Sequence, residues 1–207
     1  LDTWRTAGAK TVVTSCADCY CAFKVLYDKI GLKPKLEVLH ITEYLERLIG
    51  EGKLRLTKGV PMTVTYHDPC HLGRKAEPYI HWQGVEKKAY GQLILHDPIK
   101  EFRRGTYGVY EPPRNVLKSV PGLRLVEMER IKEYAWCCGA GGGVMEAYPD
   151  FATWTALERI EEAKTTGASA LVTACPWCER NLKDAIGESG DRIKVYDVVE
   201  LVQQACD

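Results

Sequence analysis

The sequence predicts an α/β protein made of two related halves, each a mostly parallel sheet, with the first half incomplete. Three observations predict it. Short apolar runs of strand length alternate with longer amphipathic stretches. One strand-and-helix unit occurs twice. Cysteine turns follow directly on several of the apolar runs, where α/β sheets gather their sites.

The repeat is visible by inspection. Residues 6–19 read TAGAKTVVTSCADC and residues 165–178 read TTGASALVTACPWC, with seven of fourteen positions identical. Gly8/Gly167, Thr14/Thr173, Cys16/Cys175 and Cys19/Cys178 are among the matches, and Lys24 corresponds to Lys183. LEVLHITEYLERL then resembles IKVYDVVELVQQA with a small shift in length. Each copy reads as strand, cysteine turn, helix, strand, helix. Alternation of this kind implies right-handed crossovers and a parallel, Rossmann-like arrangement.

Taken along the chain, Val12–Thr14 is the first strand and Cys16–Cys19 the first cysteine turn. Met62–Tyr66 is a strand that runs into HDPCHLGR. Residues 76–108 are expected to form an irregular insertion, whose Trp82, Lys87, Lys88, Arg103 and Arg104 suit a docking surface for a partner. A helix around Arg114–Ser119 precedes a strand at Leu123–Glu127. After the loop WCCGAGGGV, a helix runs from Asp150, its expected N-cap, to Lys164. Leu171–Thr173 is the strand before CPWC. Residues 1–58 therefore read as part of a first module, and 59–207 as a complete second one carrying the insertion. Only the second copy has a single cysteine and a CCG before its CxxC, so the chain is expected to be the C-terminal part of a longer protein.

Composition narrows the function. Apolar residues make up 45%, enough for a packed core, and 28 basic side chains balance 28 acidic ones. Without a basic cluster, nucleic acid is not an expected partner. No apolar stretch approaches the roughly 20 residues needed to span a bilayer. Nine cysteines without a secretion signal point to metal or redox chemistry in a reducing compartment, hence the cytoplasm.

Cys70, Cys137, Cys138, Cys175 and Cys178 form the chemically specific pattern. A vicinal pair cannot easily serve one mononuclear tetrahedral ion, but each thiolate can take a different iron of a cluster. CxxC lets two thiolates converge on one centre. Five thiolates are one more than a cubane needs, which invites a non-cubane [4Fe-4S] arrangement or a bridging thiolate. Gly139, Gly141 and Gly142 allow close backbone approach, with N–H groups donating to sulfur. His67 and His71 flank Cys70 and are candidates for hydrogen bonding to the cluster or for proton supply. Cys16 and Cys19 make a possible but incomplete second cluster, expected to face an analogous pocket on the opposite side. A zinc-stabilised interaction module without a redox role is the alternative from another class.

At these residues the sequence resembles the CCG-domain (cysteine-rich domain) proteins, typified by the catalytic subunit of heterodisulfide reductase. Cys70 in HDPCHLGR, Cys137-Cys138-Gly139 and Cys175–Cys178 carry the resemblance. It implies an iron–sulfur electron-transfer subunit of an oxidoreductase complex. The implied partners are ferredoxin-like, flavoprotein or membrane cytochrome subunits, with peripheral attachment to the inner membrane through one of them. The alternative within the family is a disulfide reductase that cleaves an S–S bond at the cluster.

Overall fold

The computed structural model describes residues 2–32 and 35–206. A short helix α1 (Asp2–Thr6) leads into β1 (Thr11–Thr14). The Cys16 turn opens α2 (Ala17–Cys21), which passes through one π turn (Ala22–Leu26) into α3 (Tyr27–Lys29). β2 (Glu37–His40) pairs parallel with β1, from Thr11 opposite Glu37 to Thr14 opposite His40, and α4 (Ile41–Gly50) follows.

β3 (Met62–Tyr66) is flanked in parallel by β6 (Leu123–Val126) and β7 (Ala170–Thr173), and β8 (Lys194–Asp197) completes the order β6-β3-β7-β8. β3 and β7 read as unbroken apolar or β-branched runs because both their faces are covered. α5 (Glu111–Ser119), α6 (Val144–Ala147), α7 (Pro149–Thr165), α8 (Pro176–Ser189) and α9 (Val198–Ala205) complete the chain. One apolar core joins Tyr20 and Val38 of the first copy to Val64, Leu171 and Leu201 of the second. The architecture is α/β, as the alternation implied.

The two repeats follow the same path: β1, cysteine turn, α2, β2, α4 against β7, cysteine turn, α8, β8, α9. Both end in the same local device. His40 caps α4 and Asp197 caps α9, each in a capping box closed by the third helical residue, Glu43 or Glu200.

Two expectations are corrected. The insertion is not irregular throughout, because Val85–Ala89 (β4) and Leu93–Asp97 (β5) pair as an antiparallel hairpin. Its turn, Tyr90-Gly91, has positive φ at both positions, the backbone that matches hairpin twist. The cap of α7 is Tyr148, with Pro149 at the first helical position; Asp150 lies inside the first turn, where its charge meets the positive helix end.

Candidate metal centre

Parallel strands bring their C-terminal ends to one edge, and the cysteine motifs collect there. Cys70 lies on the tight turn after β3, where the Gly73 N–H donates to the Pro69 carbonyl. Cys16 and Cys175 are equivalent residues in extended backbone, each just before its helix. Their carbonyls accept from Tyr20 N–H and Glu179 N–H, which fixes how each turn enters its helix. Cys137 and Cys138 come in on the long loop between β6 and α6.

The structure brings all five predicted cysteines together and adds a sixth. Cys138 Sγ lies 2.9 Å from Cys178 Sγ. Cys137 lies beside Cys138 and Cys70, and Cys175 beside Cys16 and Cys178, close enough for these thiols to perturb one another. The sulfurs thus run in one chain: Cys70, Cys137, Cys138, Cys178, Cys175, Cys16. Donation from their neighbours holds Cys137 and Cys175 far below the usual thiol range, with the Gly139 N–H adding a contact of 3.3 Å to Cys137 Sγ. Cys70 and Cys16 are pushed well up, first by donating to those two sulfurs and then by burial. None of the cysteines is in a disulfide. Instead of facing a separate pocket, Cys16 reaches Cys175; Cys19 is exposed.

Buried polar groups hold the loops in place. Asp68 pairs with Arg114 in a fork of 2.7 and 2.9 Å, and its Oδ2 also accepts from Lys132 N–H at 2.8 Å. Arg74 donates to the Ala135 carbonyl at 2.6 Å. Asn181 of α8 donates to the carbonyls of Cys138 and Ala152, tying the vicinal pair to both flanking helices. Gly139 is required here. Its φ is +85°, and a Cβ would meet the Ala152 carbonyl at 2.6 Å. Gly141 lies against His71, whose Cε1 would be 3.3 Å from an added Cβ, whereas Gly142 has open space around it.

The two histidines differ. His71 is near the surface, 2.5 Å from Asp18 of the first copy and 3.8 Å from Cys70 Sγ. His67 is fully buried; burial, then the Arg159 charge, pushes its imidazole down to about 3. A ring nitrogen of His67 and the sulfurs of Cys138 and Cys178 lie within 4.8 Å of one another. Sequence reasoning missed Arg74, Arg114, Arg159 and Asn181. A buried Arg in an amphipathic helix looks like a surface residue until the fold supplies its partner.

The donor set fits an iron–sulfur cluster. Thiolates are the ligands such clusters take, and six converging sulfurs exceed the four of a zinc tetrahedron. The free space walled by Cys70, Cys138, Cys175, Cys178 and Trp177 is about 10 Å³. A cleft of about 710 Å³ lies alongside and shares His71 as a wall.

A parallel α/β edge that gathers six free thiols from single, vicinal and CxxC motifs defines a cysteine-rich metal-binding protein. Residues 99–183 match the CCG cysteine-rich domain. The match contains Cys137, Cys138, Cys175 and Cys178, and Cys70 lies before it. The chain is 41% identical over 202 residues to one subunit of the dihydromethanophenazine:CoB–CoM heterodisulfide reductase of Methanosarcina acetivorans, covering 97% of this chain and 42% of that one. It is 36% identical to the "probable iron-sulfur-binding oxidoreductase FadF" of Bacillus subtilis, over 95% of this chain and 23% of the relative. The EtfAB:quinone oxidoreductase of Syntrophomonas wolfei is 32% identical over the whole chain, which spans 26% of that protein. The chain thus spans less than half the length of these relatives. Among the described residues, no helix is long and apolar enough to cross a membrane.

Proposed function

We propose that this chain is an iron–sulfur electron-transfer part of an oxidoreductase complex, with Cys70, Cys137, Cys138, Cys175 and Cys178 as cluster ligands. The observation that carries the reading is the unbroken chain of sulfurs formed by all five with Cys16. When bound, the cluster supplies a one-electron redox centre. The protein's own residues hold the thiolates, exclude water and donate to sulfur through groups such as the Gly139 N–H. Residues 1–58 and 59–207 are read as two modules of one kind, meeting where Cys16 reaches Cys175. A ligand count of five favours a non-cubane [4Fe-4S] cluster over a cubane. Relatives named as part of a heterodisulfide reductase and as a quinone oxidoreductase support partners within a redox complex, and the unpaired thiols support a cytoplasmic setting.

Iron, acid-labile sulfide and zinc measured together on anaerobically purified protein test the reading. Iron and sulfide in equal amounts, near four of each per cluster, are expected. Stoichiometric zinc without sulfide overturns it in favour of the interaction module.

A second reading, reduction of a disulfide at the centre, is favoured by one observation. His71, paired with Asp18 beside half-buried Cys70, forms part of the wall of the large cleft, where a substrate thiolate could collect a proton. Turnover of small disulfides by the reduced protein, lost in His71→Ala with iron intact, would move the assignment to that reading.

A further inference from the structure

Buried His67 has a ring nitrogen within 4.8 Å of Cys138 and Cys178 Sγ, and three chemistries are open to it: ligand, acid or hydrogen-bond donor. The choice depends on where its proton sits. Arg159 decides that. Its side chain is fully buried in α7, and its Nε–H points at His67 Nδ1 at 3.1 Å. A guanidinium has five donors and no acceptor. His67 Nδ1 must therefore present its lone pair, and the single ring proton is placed on Nε2.

Arg159 is itself held. One Nη donates to Glu162 Oε2 at 2.5 Å and to the Arg130 carbonyl at 3.1 Å. The other end of the His67 ring has no protein partner for Nε2, although the ring is sealed from water. Buried donors without a partner are costly. The sulfurs of Cys138 and Cys178, within 4.8 Å of one of the ring's nitrogens, are the acceptors within reach of a small adjustment.

We infer that Arg159 acts as a positioning residue that locks His67 in the Nε2–H tautomer, so that His67 donates to the sulfur edge at Cys138 and Cys178 rather than binding metal. The inference rests on the iron–sulfur reading above. A ligating Nε2 would need its own lone pair and a proton on Nδ1, and that proton would collide with the Arg159 Nε–H. An N–H···S contact favours the more negative, reduced state, so it sets the potential upward without supplying a ligand.

The test reads the reduced, paramagnetic protein and its variants. In the unaltered protein, electron–nuclear double resonance should show a proton coupling that disappears in D₂O and no coupling of a directly bound nitrogen. His67→Leu should keep iron and sulfide per chain but move the midpoint potential to more negative values. His67→Gln, which restores an N–H near the same place, should recover part of that shift. Arg159→Gln should reproduce the His67→Leu shift in direction while His67 is still present. Protein that contains iron yet shows a strongly bound nitrogen overturns the inference, as does a potential unmoved in His67→Leu. Protein without iron or sulfide overturns the cluster reading itself, a failure distinct from these.

Discussion

The two copies of the repeat share a path but not an environment. β7 is buried at every position, while β1 alternates between exposed and half-buried. α8 is one straight helix of 14 residues, begun by Pro176; its counterpart is broken by a π turn just after Cys21. Cys175 and Cys178 are buried; Cys16 is half-buried and Cys19 exposed. What the copies share is local: a strand, a cysteine at the helix start, a capping box. What separates them is tertiary, because only the second copy has β3, the Asp68 turn and the CCG loop packed over its cysteines.

The largest effect should come from equivalent cysteines. Cys178→Ser should remove nearly all iron and sulfide from the chain. Cys19→Ser, the same position in the first copy, should leave both unchanged. Iron per chain, measured after anaerobic purification, decides. Equal losses would mean that the copies contribute alike to one centre.

A smaller contrast lies in the charge pairs. Arg114 pairs with Asp68 almost without exposure, and removing one partner of such a pair leaves a stranded charge. Arg114→Leu should cost about 3–5 kcal/mol in urea unfolding. Arg47 and Glu37 form a pair across β2 and α4 of the first copy, both well exposed. Arg47→Ala should leave the midpoint within the scatter of the measurement. Similar shifts in the two variants would show that the Asp68 turn is no better supported than the surface of the first copy.

This contrast also explains what the sequence revealed. The strands were legible because runs such as MTVTY and ALVT sit between turn residues. The five cysteines were legible because vicinal and CxxC spacing is rare without a metal. Cys16 meeting Cys175 was not, since it depends on how two turns 159 positions apart are set against each other. Nor was the Arg159–His67 contact, made by a side chain whose α7 neighbours include Glu158, Glu161 and Glu162. The hairpin at Val85–Asp97 was missed because VEKKA lacks the alternation that marks a half-buried strand. Both its strands are largely exposed, so no core face imposes a pattern.

The finest contrast is between the two caps, and pH separates them. Asp197 is raised from 3.8 to about 7, chiefly by burial, with the negative Glu179 and Glu200 adding to it against the Val199 N–H. His40 is lowered from 6.5 to about 4, again chiefly by burial; its Nε2 lacks a partner of good geometry beside the backbone of Ser15 and Ala174. A carboxyl raised by folding contributes stability that is full below its unfolded value and lost as pH rises. For Asp197 that loss runs from about pH 4 to about pH 7. An imidazole lowered by folding contributes stability that is full above its unfolded value and lost as pH falls. For His40 that loss runs from about pH 6.5 down to about pH 4. Asn caps helices well and does not titrate in this range. Against Asp197→Asn, the unaltered protein should lose relative stability as pH rises from 4 to 7. Against His40→Asn it should gain over nearly the same interval. Each slope is limited to about 1.4 kcal/mol per pH unit, the value for one proton. Urea midpoints at intervals of one pH unit give both difference curves. Curves of the same sign would mean that the two caps, alike in geometry, are not opposite in electrostatics.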